Sequence, residues 1–288
     1  MNRPPAHAAQ PLALSARLAA CLLFFVAVSA PAAAAPQGFA QQKGPPAKAP
    51  AQGRPAAAAA LAATPTETVR AMYKALAERR FREAFALSVL HAAVESLSAE
   101  EFAELQPDFE RLAAATPANV EVTGEVLNGE VASVFIKPID RAAEAQAEEV
   151  KLLRAGGRWV IGERGDYEVV GKEGKDFLFR ARIETHHAEV EEMLKRISAA
   201  EFVYASQHGG AYGDLVALVG AGLVPQDLLG TESTGYRIMV TLGKGGKSWA
   251  AGAEPVRYGR TGRLSFRMDQ SGLSKKDAGG KPLKGSSK

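Results

Sequence analysis

His187 and Glu191 stand four residues apart in a stretch whose apolar residues recur at helical spacing, so both fall on one helical face. An imidazole and a carboxylate placed that way are the beginning of a metal site, and His186 and His208 add further imidazoles in sequence. No His-Glu-x-x-His motif accompanies them. Set among many surface charges, the His187/Glu191 pair reads as solvated, and no metal is expected. Earlier in the chain, Tyr73, His91, Glu95 and Trp159 are the candidates for holding a ligand. The phenol and indole carry hydrogen-bonding tips on apolar bodies, and the imidazole and carboxyl can exchange protons. Gly243-Lys244-Gly245-Gly246-Lys247 lacks the spacing and the Ser/Thr of a phosphate-binding loop and reads as a hairpin turn. No cofactor is expected.

The N-terminus bears on which of these chemistries are open. Arg3 and Arg17 flank an apolar run from Leu18 to Val28, and Ser29 to Ala35 offers several Ala-x-Ala cleavage positions. The apolar run is well short of the roughly 20 residues that span a bilayer. Residues 1–35 are therefore expected to be an export signal, leaving a periplasmic or extracellular protein with no transmembrane segment. Cys21 is the sole cysteine of the 288 residues and lies inside that signal. It precedes its apolar stretch, whereas a lipobox cysteine follows one. Cleavage would leave no disulfide, thiolate nucleophile or cysteine metal site.

Residues 36–63 are almost entirely Ala, Pro, Gly, Gln and Lys, too poor in bulky apolar surface to offset the entropy of ordering. They are expected to be a disordered linker. Thr64-Pro65-Thr66-Glu67 then gives a capping box with proline at the first helical position, and Val69, Met72, Tyr73 and Leu76 mark an apolar face. A second helix carries Phe81, Ala84, Phe85 and Val89. A third starts at Ser98 and is expected to break or kink at Pro107. The period changes to two at Val120, a hairpin is signalled by Asn128-Gly129, and a second strand pair joins through Ala155-Gly156-Gly157.

The segments Thr68 to Leu76, Phe81 to Phe85 and Leu152 to Glu163, with its Gly156-Gly157-Arg158-Trp159-Val160-Ile161 core, resemble the nuclear-transport-factor-two-like superfamily. The resemblance implies a domain over 64–172 in which helices pack on a curved antiparallel sheet, often enclosing a pocket. Some members are isomerases, and Tyr73 matches their first-helix tyrosine. The acidic partner expected after the second helix is not matched; His91 or Glu95 would have to substitute. Tyr73 also lies in an apolar stripe, where an aromatic is usually core.

Residues 173–185 read as a hinge or connecting segment, with strand and helix both open. From about Thr185 the helical pattern is firm: Val190, Met193, Leu194, Ile197, Ala200 and Tyr204 fall at helical offsets. Gly209-Gly210 ends that helix, a short one follows near Asp214 to Val219, and strands are expected over Tyr236 to Leu242, Ser248 to Pro255 and Leu264 to Met268. Ala199-Ala200 to Tyr204, Gly235-Tyr236, Ala253-Glu254-Pro255, Thr261-Gly262-Arg263-Leu264-Ser265-Phe266 and Asp269 to Gly272 together resemble the globular domain of type IV pilins and pseudopilins. That resemblance covers about 186–273 and implies one long helix on a small antiparallel sheet. The apolar membrane helix of prepilins has no counterpart, because Glu168 to Ile183 is too charged for a bilayer.

The fold class expected is thus α+β twice over. Residues 274–288 form a Lys/Gly/Ser tail expected to be disordered, and it carries part of the formal charge of +3. No basic patch with interleaved aromatics points to nucleic acid. Three function classes are compatible with these readings. The first is an exported, non-enzymatic envelope protein that mediates binding or assembly. The others are an accessory component of a type IV pilus or type II secretion-like system, and a small-molecule binder or isomerase-like enzyme using the first domain's pocket. Envelope or pilus and secretion proteins are the partners these imply; the oligomeric state is open.

Overall fold

The structure is a computed structural model that describes residues 64–139, 147–230 and 235–283. The expected signal peptide (1–35), with Cys21, and the linker (36–63) lie outside the described residues, as does the end of the tail from 284. What is described divides into two compact units, 64–175 and 176–283. Each combines helices with one four-stranded antiparallel sheet, so the chain is α+β.

In the N-terminal unit, helix α1 (Pro65–Ala77) starts on the anticipated capping box. Thr64 Oγ1 accepts from the Glu67 amide at 3.2 Å, and the Glu67 carboxylate accepts from the Thr64 amide at 3.1 Å. Helices α2 (Phe81–Ala86) and α3 (His91–Glu95) are short, and α4 (Ala99–Ala115) repeats the capping box with Ser98 and Glu101. Pro107 does not break α4, which runs through it. A mid-helix proline costs about 3 kcal/mol. Here Phe109, two residues on, packs against Phe81, Phe85 and Phe102 at ring separations of 5.7, 4.8 and 5.3 Å and holds the helix in register.

Strands β1 (Val120–Asn128), β2 (Val131–Pro138), β3 (Glu148–Ala155) and β4 (Arg158–Ile161) pair in that order. The first hairpin turns on Gly129-Glu130, one residue later than Asn128-Gly129, because Asn128 pairs with Val131. Gly129 sits at φ 61, the positive φ that a two-residue turn with glycine first requires. Ala132, Val134, Ile136, Leu152 and Trp159 on one face meet Val69 and Tyr73 of α1 in a single core cluster. Val89, Leu153 and Val160 form a smaller cluster. A further helix, α5 (Arg164–Glu173), closes the unit and ends at Gly174, where φ is 55.

Helix α6 runs from Lys175 to Gln207, so the 173–185 segment read as a hinge is helical from Lys175. The alternation of Phe177, Phe179, Ala181 and Ile183 left strand and helix open because Leu178 and Arg182 are buried too. A helix buried on most of its circumference loses the one-sided apolar stripe that identifies it. In the C-terminal unit, α7 (Leu215–Gly220) is capped by Asp214, whose carboxylate accepts from the Ala217 amide at 2.8 Å. Strands β5 (Tyr236–Leu242), β6 (Trp249–Pro255), β7 (Leu264–Asp269) and β8 (Gly272–Asp277) pair antiparallel in order. The fourth strand is a correction, since most of it falls where a disordered tail was expected. Val190, Leu194, Ile197 and Ala200 of α6 pack with Tyr236, Ala251, Phe266 and Met268 of the sheet. Among the described residues no helix is long and apolar enough to cross a membrane.

Candidate functional site

The singled-out residues of the N-terminal unit separate into two places. Tyr73 and Trp159 are buried in the core cluster of α1 and the sheet. His91 and Glu95 sit one turn apart on α3 and pair with each other, Nε2 to Oε2, at 3.2 Å, with the glutamate well exposed. The phenol and the indole are thus brought together by packing, while the imidazole and carboxyl form a surface pair of their own.

The C-terminal unit concentrates its polar chemistry where α6 meets the start of β7. His186 and His187 are consecutive, so they leave the helix about 100° apart. The segment 261–264 receives both. His186 is buried, and its Nδ1 lies 2.8 Å from the Thr261 carbonyl oxygen. Nε2 of His187 accepts from the backbone amides of Arg263 and Leu264 at 3.1 and 3.2 Å. Its ring also stands edge-on to Tyr236 and Phe266, at 6.3 and 5.7 Å. Burial pushes the His187 imidazole down from its ordinary value to about 4. Glu191 opposes that shift, and His186 and Lys275 add to it.

The same junction leaves no room for a side chain at two glycines, Gly235 and Gly262. A Cβ at Gly262 would overlap the Tyr236 ring, and one at Gly235 would lie 2.8 Å from the Cβ of Thr261 and 3.0 Å from Nδ1 of His186. The Tyr236 hydroxyl donates to the Leu264 carbonyl at 2.8 Å. Tyr236, Thr261, Gly262 and Phe266 therefore share one packed corner, which gives these letters a structural reason to occur together.

Beside this corner an open groove of about 360 Å³ lies between the Glu184 to Glu192 stretch of α6 and Leu264 and Lys275. Glu191 is engaged there by Lys275 at 2.6 Å. With the His187 lone pair on two amides and the Glu191 carboxylate on an ammonium, the residues drawn together as metal ligands have other partners. His208 is remote from them: 21 residues at 1.5 Å per residue put it roughly 30 Å along the helix. It stacks on Tyr204 at 3.8 Å, and its Nδ1 lies 2.8 Å from the Tyr204 carbonyl. Among the described residues no group of three or more metal-ligating side chains converges.

Sequence reasoning missed Glu201. This glutamate of α6 is fully buried; Oε2 accepts from the Gly213 amide at 3.0 Å, and Oε1 has no hydrogen-bond partner among the described residues. Burial raises its pKa above the usual carboxylate value, the Gly213 amide opposes that, and Asp214 adds to it. Its place was legible in principle, since 190, 194, 197 and 201 continue one stripe, but a glutamate at the end of a stripe reads as its polar border. No known protein family, curated protein or solved structure matches the chain.

Proposed function

We propose that the chain is an exported, non-enzymatic cell-envelope protein that serves in binding or assembly. In this reading a nuclear-transport-factor-two-like module at 64–172 precedes a pilin-like module at 186–273. One observation carries it: the residues with chemistry to offer are engaged in holding the fold. Tyr73 and Trp159 lie in a core, His91 pairs with Glu95, and His186 and His187 bind backbone of the 261–264 segment. Such arrangements support surfaces rather than turnover. The apolar face of α6 does not favour a filament subunit, because Val190, Leu194 and Ile197 are buried in the unit's own core.

Fractionation of cells expressing the full chain, followed by N-terminal sequencing, tests the reading. The exported form should begin near Gln37 and lack Cys21. A product that keeps Met1 and stays in the cytoplasm would refute it, as would turnover of a small ligand that Tyr73→Phe abolishes with the fold intact.

A further inference from the structure

The connection between α6 and α7, residues 208–214, rests on a buried acid. Gly209 and Gly210 join it to the helix end at φ 64 and 82. The amide of Gly213 donates to Glu201 Oε2 at 3.0 Å, and the amide of Tyr212 donates to the Gly246 carbonyl at 2.9 Å. The Tyr204 ring meets this connection twice: His208 stacks on it at 3.8 Å, and a Cβ on Gly213 would come within 3.1 Å of it. Tyr212 in turn brings its ring to 6.5 Å from that of Trp249, which is buried at the start of β6.

The Glu201 carboxyl is completely buried, and its Oε1 has no hydrogen-bond partner among the described residues. Neutral, the group leaves one hydroxyl unpaired. Ionised, it leaves a charge with a single amide to solvate it, which is far more costly. One turn away on α6 stand Ile197, Ser198, Tyr204 and Ala205, none of them charged. The connection supplies Tyr212, His208 on the outer side of Tyr204, and Asp214, whose charge makes ionisation harder still. α7 has no ionisable side chain, and the turn that receives Tyr212 has Lys244 and Lys247. In the sheet, Arg237, Glu254, Arg267 and Asp269 alternate with Tyr236, Ala253, Phe266 and Met268 of the core, so they leave by the other face. No ion pair to Glu201 forms among the described residues.

We propose that residues 208–214 are a proton-operated flap. While Glu201 keeps its proton the flap stays shut. When the proton leaves, Gly213 and Tyr212 come off Glu201 and Gly246, water reaches the carboxylate, and the Tyr212 side of Trp249 is uncovered. The two glycines at the helix end are the hinge, and α6, α7 and the sheet stay as they are. Burial raises the pKa of Glu201, so the flap opens as pH rises and shuts as it falls. Such a device ties the exposure of an aromatic surface to the acidity around the protein, and nothing in it depends on export.

Amide hydrogen exchange of the full chain, followed by NMR from the carboxylate's ordinary 4.5 upward in pH, reads the flap directly. Ala251 and Met268, paired in the two central strands, supply the reference for opening of the whole unit. The protection factors of Gly213 and Tyr212 should lie below theirs and fall together, about tenfold per pH unit, until the closed form itself ionises. Glu201→Gln should flatten that fall, and His208→Gln should leave it in place. Gly213→Ala, whose methyl presses on the Tyr204 ring, should lower Tyr212 protection about tenfold even where Glu201 is protonated. Gly213 protection equal to that of Ala251 overturns the proposal, since the segment then opens only with the whole unit. So does wild-type protection that ignores pH, or a fall at Gly213 with Tyr212 unmoved. A fall that survives Glu201→Gln, or vanishes in His208→Gln, overturns it as well. Should Glu201→Gln not fold, the wild-type comparison of Gly213, Tyr212 and Ala251 decides by itself.

Discussion

In the C-terminal unit burial displaces the pKa values of His187 and Glu201 in opposite directions, with opposite consequences for stability. His187 is held near 4, against an ordinary 6.5 for an imidazole. A group depressed on folding contributes stability that is present above its unfolded value and is lost as pH falls through the folded one. Between pH 6.5 and about 4 the unfolded chain takes up a proton that the folded chain refuses. Glu201 is displaced upward, so its contribution is complete below the carboxylate's ordinary 4.5 and fades as pH rises through its folded value. Chemical denaturation of wild type, His187→Gln and Glu201→Gln at a series of pH values separates the two. His187→Gln should flatten the loss of stability between pH 6.5 and 4, and Glu201→Gln should flatten the decline above pH 4.5. Unchanged slopes in both variants would show that neither group is linked to folding.

At the scale of elements, the packing of α6 on its sheet makes a demand that side-chain volume can test. Leu194 and Ile197 are completely buried, while Glu192 pairs with Lys195 on the exposed side at 2.6 Å. Leu194→Ala and Ile197→Ala should each cost about 2–5 kcal/mol in denaturant unfolding, with Glu192→Ala nearly neutral. A silent Leu194→Ala beside a destabilising Glu192→Ala would invert the helix.

These elements also show what the sequence discloses and what it withholds. Strand β5 was legible to the residue because Gly235 and Gly243 bracket a β-branched and aromatic run. The capping boxes at Thr64 and Ser98 were legible because they are local chemistry. Strand β8 was not, for Ser274-Lys275-Lys276-Asp277 has no apolar rhythm. Its order comes from pairing with β7, from Lys275 on Glu191 and from the Tyr258 hydroxyl on Asp277 at 2.9 Å. Helix α5 was missed for a related reason, since Val170 is its one buried residue and no stripe forms. Of the candidate site, the identities of His187 and Glu191 were visible but their partners were not, because Arg263, Leu264 and Lys275 lie more than 70 residues away.

For the whole molecule, the division at 175/176 moves the start of the second unit about ten residues upstream of the 186 read from sequence. Those residues include Phe179, whose ring is met by the Arg260 guanidinium at 4.0 Å. A fragment of residues 176–283 should therefore fold alone and melt cooperatively, since its core is assembled from its own elements. A fragment beginning at Thr185 lacks that contact and should melt at a lower temperature. Circular dichroism melts of the two fragments decide the matter: equal midpoints would make the extra residues an appendage, and an unfolded 176–283 would dissolve the boundary.

The pair of histidines on α6 carries a spectroscopic signature. A carbonyl oxygen can only accept, so the Nδ1 of His186 facing Thr261 must carry a proton. Amides can only donate, so the Nε2 of His187 facing Arg263 and Leu264 is bare, and the neutral ring keeps its proton on Nδ1. Two adjacent residues thus share one tautomer, and one gives a hydrogen bond where the other receives. Free imidazole in water favours the other tautomer, and His91, whose Nε2 faces the Glu95 carboxylate, keeps its proton there, so ring nitrogen-15 resonances of this pair would stand apart from those of His91, while His208, with Nδ1 on the Tyr204 carbonyl, shares the pair's tautomer. Collapse of that pattern would announce that the 261–264 segment had left the helix, before any loss of helical signal.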